Sequence, residues 1–297
     1  MSNTVPMRGR RGALIAGTVP WRQGSDMTHK DIKLKERGRT PAKGKPASNC
    51  ADPLLEQAIA QDGISILFQP QIEPASGQVV AVEALARWEG GAGQLFDRAR
   101  KAGLEGALSR CVQDKAMRRA ARWQGELAAM GLSINLLPSE FAEDGMVDDF
   151  LARIRESGLD PDRLTVEIVE NGLVRDRKAA SKRLTKLRDA GVRIAIDDFG
   201  TGYSSLAYLT SLPIDCLKID RGLITDIVGG SRDRIVVRAM IHLAHELGLD
   251  VVVEGVESAA QLELIASWGC DYYQGFLGAG ALSEEELARF VHASLAA

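Results

Sequence analysis

The chain has 297 residues, 45% of them apolar and 26% charged, which is ordinary composition for a globular protein and length enough for a core without disulfide or metal staples. No apolar run approaches the roughly 18 residues of a membrane span, and the four cysteines (Cys50, Cys111, Cys216, Cys270) form no Cys-x-x-Cys pair. Aromatic residues, at 5%, are too few for a protein that stacks nucleic-acid strands, so no DNA or RNA polymer is expected as a partner.

The formal charge of −3 is unevenly spread. Residues 1–50 hold eleven Lys/Arg against three Asp/Glu, leaving 26 basic and 37 acidic residues for the rest. The segment 1–52 is rich in Gly, Pro, Ser and Thr without a sustained 2.0 or 3.6 period, and it reads as a disordered basic tail before a folded domain at 53–297. Arg10-Arg11 resembles a twin-arginine signal, but the apolar stretch after it is short and ends at Pro20. A solvated tail, or a start codon placed ahead of Met7 or Met27, is the plain reading. A basic arm for a membrane surface or an acidic partner is the functional one. The cysteine usage and the lack of a span predict a cytoplasmic protein.

In chain order, Ile64–Ile72 and Val79–Trp88 read as strands joined by a turn at Ala75-Ser76-Gly77. A helix is expected from Glu105 to Met130, then a strand at Leu132–Leu136 and a helix at Val147–Glu156 stopped by Gly158. Leu164–Ile168 is a strand and Ala179–Asp189 a helix with Leu184 and Leu187 inward. Val192–Ile196, Cys216–Ile219 and Val251–Val253 are strands of the buried type. A helix at Arg234–Leu247, with Val236, Met240, Leu243 and Leu247 on one stripe, separates the last two. A helix from Ser258 to Trp268, a segment Cys270–Phe276 and a closing helix Ser283–Leu295 with a Ser283/Glu286 capping box complete the chain. This alternation predicts an α/β fold, a modified (β/α)8 barrel rather than an open sheet. No Gly-x-Gly-x-x-Gly or Walker A sequence supports a nucleotide-binding open sheet. The short first turn forces an antiparallel first strand, since a parallel pair needs a longer crossover.

Polar and acidic residues recur at the ends of these strands: Glu83, Asn135, Glu167, Asp197 with Asp198, Lys218 with Asp220, Glu254 and Gln274. Barrel strand ends converge on one mouth, where such enzymes keep their active sites. Taken singly, each residue has an ordinary explanation as a buried paired acid, a cap, a surface ion pair or a loop amide. Jointly they predict a metal site, because converging carboxylates repel unless cations neutralise them. The set lacks histidine, so oxygen-only ligands point to Mg²⁺ or Mn²⁺ and away from zinc. Asp197-Asp198 is the natural bridge between two ions in an in-line phosphoryl displacement. Lys218 is placed to orient the attacking water or to meet developing charge, and Glu254 to take the proton of that water.

At these residues the sequence resembles the EAL-domain phosphodiesterases, which hydrolyse the bacterial second messenger cyclic di-GMP. The matching stretches are Glu83-Ala84-Leu85-Ala86-Arg87-Trp88, Ile134-Asn135-Leu136, Val166-Glu167-Ile168-Val169-Glu170-Asn171, the run Asp197 to Leu206 (DDFGTGYSSL), Leu217-Lys218-Ile219-Asp220-Arg221, Glu254-Gly255-Val256-Glu257 and Gln274-Gly275-Phe276. The resemblance implies that Glu83, Asn135, Glu167 and Asp197 hold one metal and that Asp197 and Asp198 reach a second. It makes Glu254 the general base or a second-metal contact, with Lys218 and Asp220 near the nucleophilic water. Gln69, Arg87, Glu257 and Gln274 become substrate-side or supporting positions. Glu170 becomes the acid that steadies the Asp198–Ser205 loop, which couples dimerisation to activity. The implied product is linear pGpG, and the implied assembly a homodimer.

The chain departs from the family at three places. Residues 89–104 are a shortened, Gly-rich stretch where the family has a longer loop with a Pro-x-x-Phe-Ile element. Val169 replaces a customary Thr. Gly278-Ala279-Gly280-Ala281 replaces Phe-Ser-Arg-Pro. No Gly-Gly-Asp-Glu-Phe sequence or sensor domain is found, so cyclic di-GMP synthesis is not expected. The alternative to an enzyme is a catalytically silent EAL module that binds cyclic di-GMP or a partner protein. A carbon-acid barrel enzyme with one Mg²⁺ would need a different base and ligand set.

Overall fold

A computed structural model describes residues 51–88, 92–169, 176–200, 209–230 and 232–295, with the side chains of 92–94 excepted. All but the last two residues of the expected tail lie outside the described residues, as does Glu170. Eight strands close a barrel in sequence order: β1 (Ser65–Ile72), β2 (Val79–Arg87), β3 (Gly131–Leu136), β4 (Leu164–Val169), β5 (Arg193–Phe199), β6 (Cys216–Ile219), β7 (Asp250–Glu254) and β8 (Tyr272–Gln274). β1 is antiparallel to both neighbours, meeting β2 with Ser65 opposite Arg87 and β8 through Ile72 opposite Tyr273. The pairings from β2 round to β8 are parallel. The expected antiparallel first strand is therefore present.

Helices cover the outside, and the core fills the layer between them and the strands. Ile134, Ile168, Ile194, Leu217 and Val251 bury one face of their strands against helical residues such as Leu108, Leu184 and Ile241. The helix Arg232–Glu246 buries Val237, Met240, Ile241 and Ala244, while Val236 is exposed. The expected stripe was thus centred one residue off. The helix is apolar over a wide arc, and periodicity alone cannot choose the middle of such an arc.

Two segments differ more. The helix begun at Glu105 stops at Ala120, and a single 3₁₀ turn at Gly125–Leu127 leads into β3. Trp123 lies in the intervening turn, its ring buried edge-on against Phe68, 5.1 Å between centroids. Residues 89–104, expected as a Gly-rich loop, contain the helix Ala92–Ala102. Leu95 and Ala99 are buried one turn apart, the i, i+4 pairing of a helix seated on a core.

Inside the barrel the strands follow a two-residue rule. The lower inward positions carry small side chains: Ala81, Ser133, Thr165, Ala195, Cys216 and Val252. They line, with Gln71 and Tyr272, a cavity of about 180 Å³ toward the amino-terminal end. Two residues further along the same strands come Glu83, Asn135, Glu167, Asp197, Lys218 and Glu254. Strand alternation returns these to the barrel axis at the carboxyl mouth.

Candidate active site at the carboxyl mouth

Lys218 is the hub of this upper layer. It is fully buried, and its Nζ lies 3.0 Å from Glu254 Oε1, 3.3 Å from Glu83 Oε2 and 3.5 Å from Asp197 Oδ1, with Glu167 in close contact as well. Burial disfavours the ammonium, but the carboxylates of Asp197, Glu167, Glu254 and Glu83 outweigh it and hold the group well above its ordinary range. Lys218 is therefore a charged donor at neutral pH.

Glu83 is oriented from three sides. Asn135 Nδ2 donates to its Oε1 at 3.0 Å, and Gln274 Nε2 donates to its Oε2 at 2.8 Å beside the Lys218 contact. The Gln274 amide also donates to Gln69 Oε1 at 2.9 Å, and Gln69 Nε2 donates to the carbonyl of Ala279 at 3.3 Å. Gln69 and Gln274 are buried within this chain of amides. Gln69 stands directly opposite Glu83 in the β1–β2 ladder, and Gln274 opposite Glu254 between β7 and β8.

Asp197 and Asp198 break the alternation that placed the others. Successive strand residues point to opposite faces, yet oxygens of Asp197, Asp198 and Glu254 all lie within 4.8 Å of one another. The backbone supplies the reason. Ile196 pairs with Leu217 and Phe199 with Ile219, so three steps on β5 match two on β6. This one-residue bulge takes up a left-handed conformation at Asp198, with φ of 55°. Asp is among the few residues with a side chain that tolerates it.

Backbone packing fixes the ends of β7 and β8. Gly255 follows Glu254 with φ of 68°, and a Cβ there would collide with Arg221. Gly275 follows Gln274, and a Cβ there would overlap the Val256 backbone. These two approaches need glycine; the first seats the end of β7 against the turn after β6, and the second seats the end of β8 against the chain leaving β7. Asp220 is buried just past β6, where its Oδ1 accepts the Gly222 N–H at 2.8 Å and caps a 3₁₀ turn. Arg87 is half-buried at the end of β2, and its Nη1 donates to the Ala86 carbonyl at 2.9 Å. Glu257 is exposed three residues past β7.

Glu83, Glu167, Asp197 and Glu254 surround one ammonium, and Asp198 adjoins Asp197 and Glu254, a formal excess of four negative charges among these six groups. All the donor atoms are oxygens, and the carboxylate triad Asp197, Asp198 and Glu254 is close enough to share an ion. Such a hard, all-oxygen set fits divalent cations of the Mg²⁺ type.

The reading of strand ends did not single out the supports behind this layer. Gln71 Nε2 lies 3.5 Å from both Ser133 Oγ and Gln274 Oε1, and Gln113 Nε2 donates to the Asn135 carbonyl at 3.0 Å. The available signals were Gln69 and Gln71 two apart on one strand, and Ser109 and Gln113 four apart on one helix.

A family model for the EAL domain matches residues 54–281. The chain belongs to the EAL domain family. Among curated proteins it is 38% identical over 240 residues to the bifunctional diguanylate cyclase/cyclic di-GMP phosphodiesterase MucR of Pseudomonas aeruginosa, covering 78% of this chain and 35% of that protein. It is 34% identical over 240 residues to the cyclic di-GMP phosphodiesterase PA2567 of the same organism, covering 78% and 41%. The chain thus spans between about a third and two-fifths of the length of these relatives. Among solved structures, the PaMucR phosphodiesterase in a cyclic di-GMP complex superposes with a TM-score of 0.74 at 38% identity, covering 78% of this chain and 97% of that one. The Klebsiella pneumoniae BlrP1 calcium and cyclic di-GMP complex gives 0.67 at 31%, covering 75% and 57%. Among the described residues, no helix is long and apolar enough to cross a membrane.

Proposed function

We propose that this EAL domain hydrolyses cyclic di-GMP to linear pGpG with two divalent ions, Mg²⁺ or Mn²⁺. The observation that carries the reading is the convergence of Asp197, Asp198 and Glu254 beside the Lys218 cluster, with every ligand position of the family pattern filled by an oxygen donor. Glu83, Asn135, Glu167 and Asp197 would hold one ion, and Asp197 with Asp198 the other. When bound, the ions supply positive charge to the phosphoryl oxygens and lower the pKa of a coordinated water.

The protein groups do the rest. Glu254 accepts the proton of the attacking water. Lys218, kept charged by its acidic neighbours, donates to that water and opposes the charge that builds on the phosphate. Asp220 supports the water from the end of β6. Gln69 and Gln274 hold the wall beneath the substrate, while Arg87 and Glu257 meet it at the rim. Residues 53–297 form the catalytic unit, so a chain lacking 1–52 should retain turnover. A cytoplasmic homodimer is the working form, with Glu170 steadying the loop after Asp198; neither Glu170 nor most of that loop falls among the described residues.

The test is incubation of the purified chain with cyclic di-GMP and Mg²⁺, Mn²⁺ or chelator, following pGpG by chromatography. Metal-dependent release of pGpG is expected. Tight binding without turnover would make the domain a receptor instead.

A further inference from the structure

The helix Glu105–Ala120 carries a polar patch inside an otherwise apolar layer. Ser109, Gln113 and Glu140 are each almost fully buried there. Gln113 Nε2 donates to Ser109 Oγ at 3.0 Å and to the backbone carbonyl of Asn135 at 3.0 Å, and lies 3.3 Å from Glu140 Oε2. Its Oε1 accepts from Arg153 Nη2 at 2.8 Å, and Arg153 Nε in turn donates to Asp114 at 2.8 Å. The amide of Gln113 therefore has only one orientation that satisfies its partners, with the NH₂ end toward β3. Glu140 closes the patch by accepting from Ser109 Oγ at 2.7 Å and from the Leu137 N–H at 3.2 Å.

The placement of this patch matters more than its size. The β2–β3 ladder ends at Glu83 opposite Ser133, two residues short of Asn135. Beyond that point Gln113 supplies the hydrogen bond to the Asn135 carbonyl, and Glu140 holds Leu137 two residues on. The backbone carrying Asn135 is thus pinned to the helix by side chains. An all-apolar contact would pack this layer without burying a carboxylate. The patch reaches the mouth through Asn135, whose own amide orients Glu83.

The geometry points to Gln113 as a positioning residue that sets the Asn135 side chain, and through it the affinity of the Glu83–Asn135–Glu167 ligand group for a divalent ion. This rests on the metal-dependent reading above. Residues that orient metal ligands from behind typically change affinity or activity by about 10–100-fold.

The decisive variant exchanges the two groups, Gln113→Glu together with Glu140→Gln, in the full chain. The exchange keeps the volume, the Arg153 contact and the polar partners, but it puts an acceptor where Asn135 needs a donor. A second variant, Arg153→Met, frees the Gln113 amide from outside the layer. Mn²⁺ binding is measured by electron paramagnetic resonance titration below the melting temperature of every variant, alongside kcat and KM. The expected result is an Mn²⁺ dissociation constant raised about tenfold in the exchange variant and several-fold in Arg153→Met, with kcat lowered and KM little changed. Wild-type Mn²⁺ affinity in either folded variant, with Asn135→Ala weakened, overturns this inference alone. Failure of the wild-type chain to bind Mn²⁺ overturns the metal-dependent reading and this inference with it.

Discussion

Gln274 Nε2 lies 2.8 Å from Glu83 Oε2, so the last strand of the barrel fixes the orientation of an acid on the second. Asn135 on β3 and Lys218 on β6 hold the same carboxylate, so donors from three strands converge on Glu83. Gln274→Leu would remove one of the three. It should lower turnover about 10–100-fold, as loss of a ligand-orienting partner does, with a higher metal concentration needed for half-maximal rate. Steady-state kinetics against metal concentration would check this, and an unchanged profile would show that Glu83 does not need the amide.

Asp197→Ala removes the acid placed between both proposed ion positions. Hydrolysis should fall below detection while the fold persists, as judged by circular dichroism. Retained turnover would contradict a shared ligand at this position.

Lys218→Ala separates chemistry from binding. Its ammonium meets four acids and is fully buried, so kcat should drop at least about a hundredfold with little change in KM. A raised KM at constant kcat would place Lys218 in substrate recognition instead. Leaving the acids without their cation should also lower stability in chelator by about 3–5 kcal/mol, much of which saturating Mn²⁺ should restore.

Asp198→Asn should do the opposite in chelator. The substitution removes one negative charge from a crowded cluster and retains a side chain suited to φ of 55°. A melting temperature roughly 2–4 °C above wild type in chelator, about 1 kcal/mol for a domain of this size, is expected, with the order reversed under Mn²⁺. Differential scanning calorimetry in both conditions reads it directly.

Glu140 offers a pH signature away from the mouth. Burial pushes its carboxyl above the ordinary value of 4.5, against the pull of the Ser109 and Leu137 hydrogen bonds. The folded state then holds its proton more tightly than the unfolded chain. Stability from this group is greatest below the unfolded value and is lost as pH rises through the raised folded one. Urea denaturation from pH 4.5 to 7.5 should show a flatter pH dependence for Glu140→Gln than for wild type.

The alternation of buried strands and amphipathic helices was legible in the sequence because the barrel strands are short runs rich in apolar residues and their helices repeat every 3.6 residues. The short turn at Ala75–Gly77 was enough to reverse β1. The helix Ala92–Ala102 was hidden by the glycines at 90, 91 and 93, which read as a loop although Leu95 and Ala99 sit at helical spacing. The stop at Ala120 was hidden because residues 121–124 keep a helical composition, and only packing turns Trp123 inward. The ligand positions were legible from their place at strand ends. The bulge that lets two adjacent aspartates face one point was not, since it appears only in the register between β5 and β6. Gln113 escaped notice for a related reason. Its partner is a backbone carbonyl, and no residue type marks that in the sequence.

The reversal of β1 also decides from which end the chain enters the domain. In an all-parallel barrel the first strand starts at the face opposite the catalytic mouth. Here Ser65 pairs with Arg87, at the end of β2 that opens onto the site. Asp52 is tied back to the same edge, since it pairs with Arg98 and Arg98 lies 4.5 Å over the Trp88 ring. The chain ahead of residue 52 is therefore joined to the domain at the rim of the mouth and not at the opposite face.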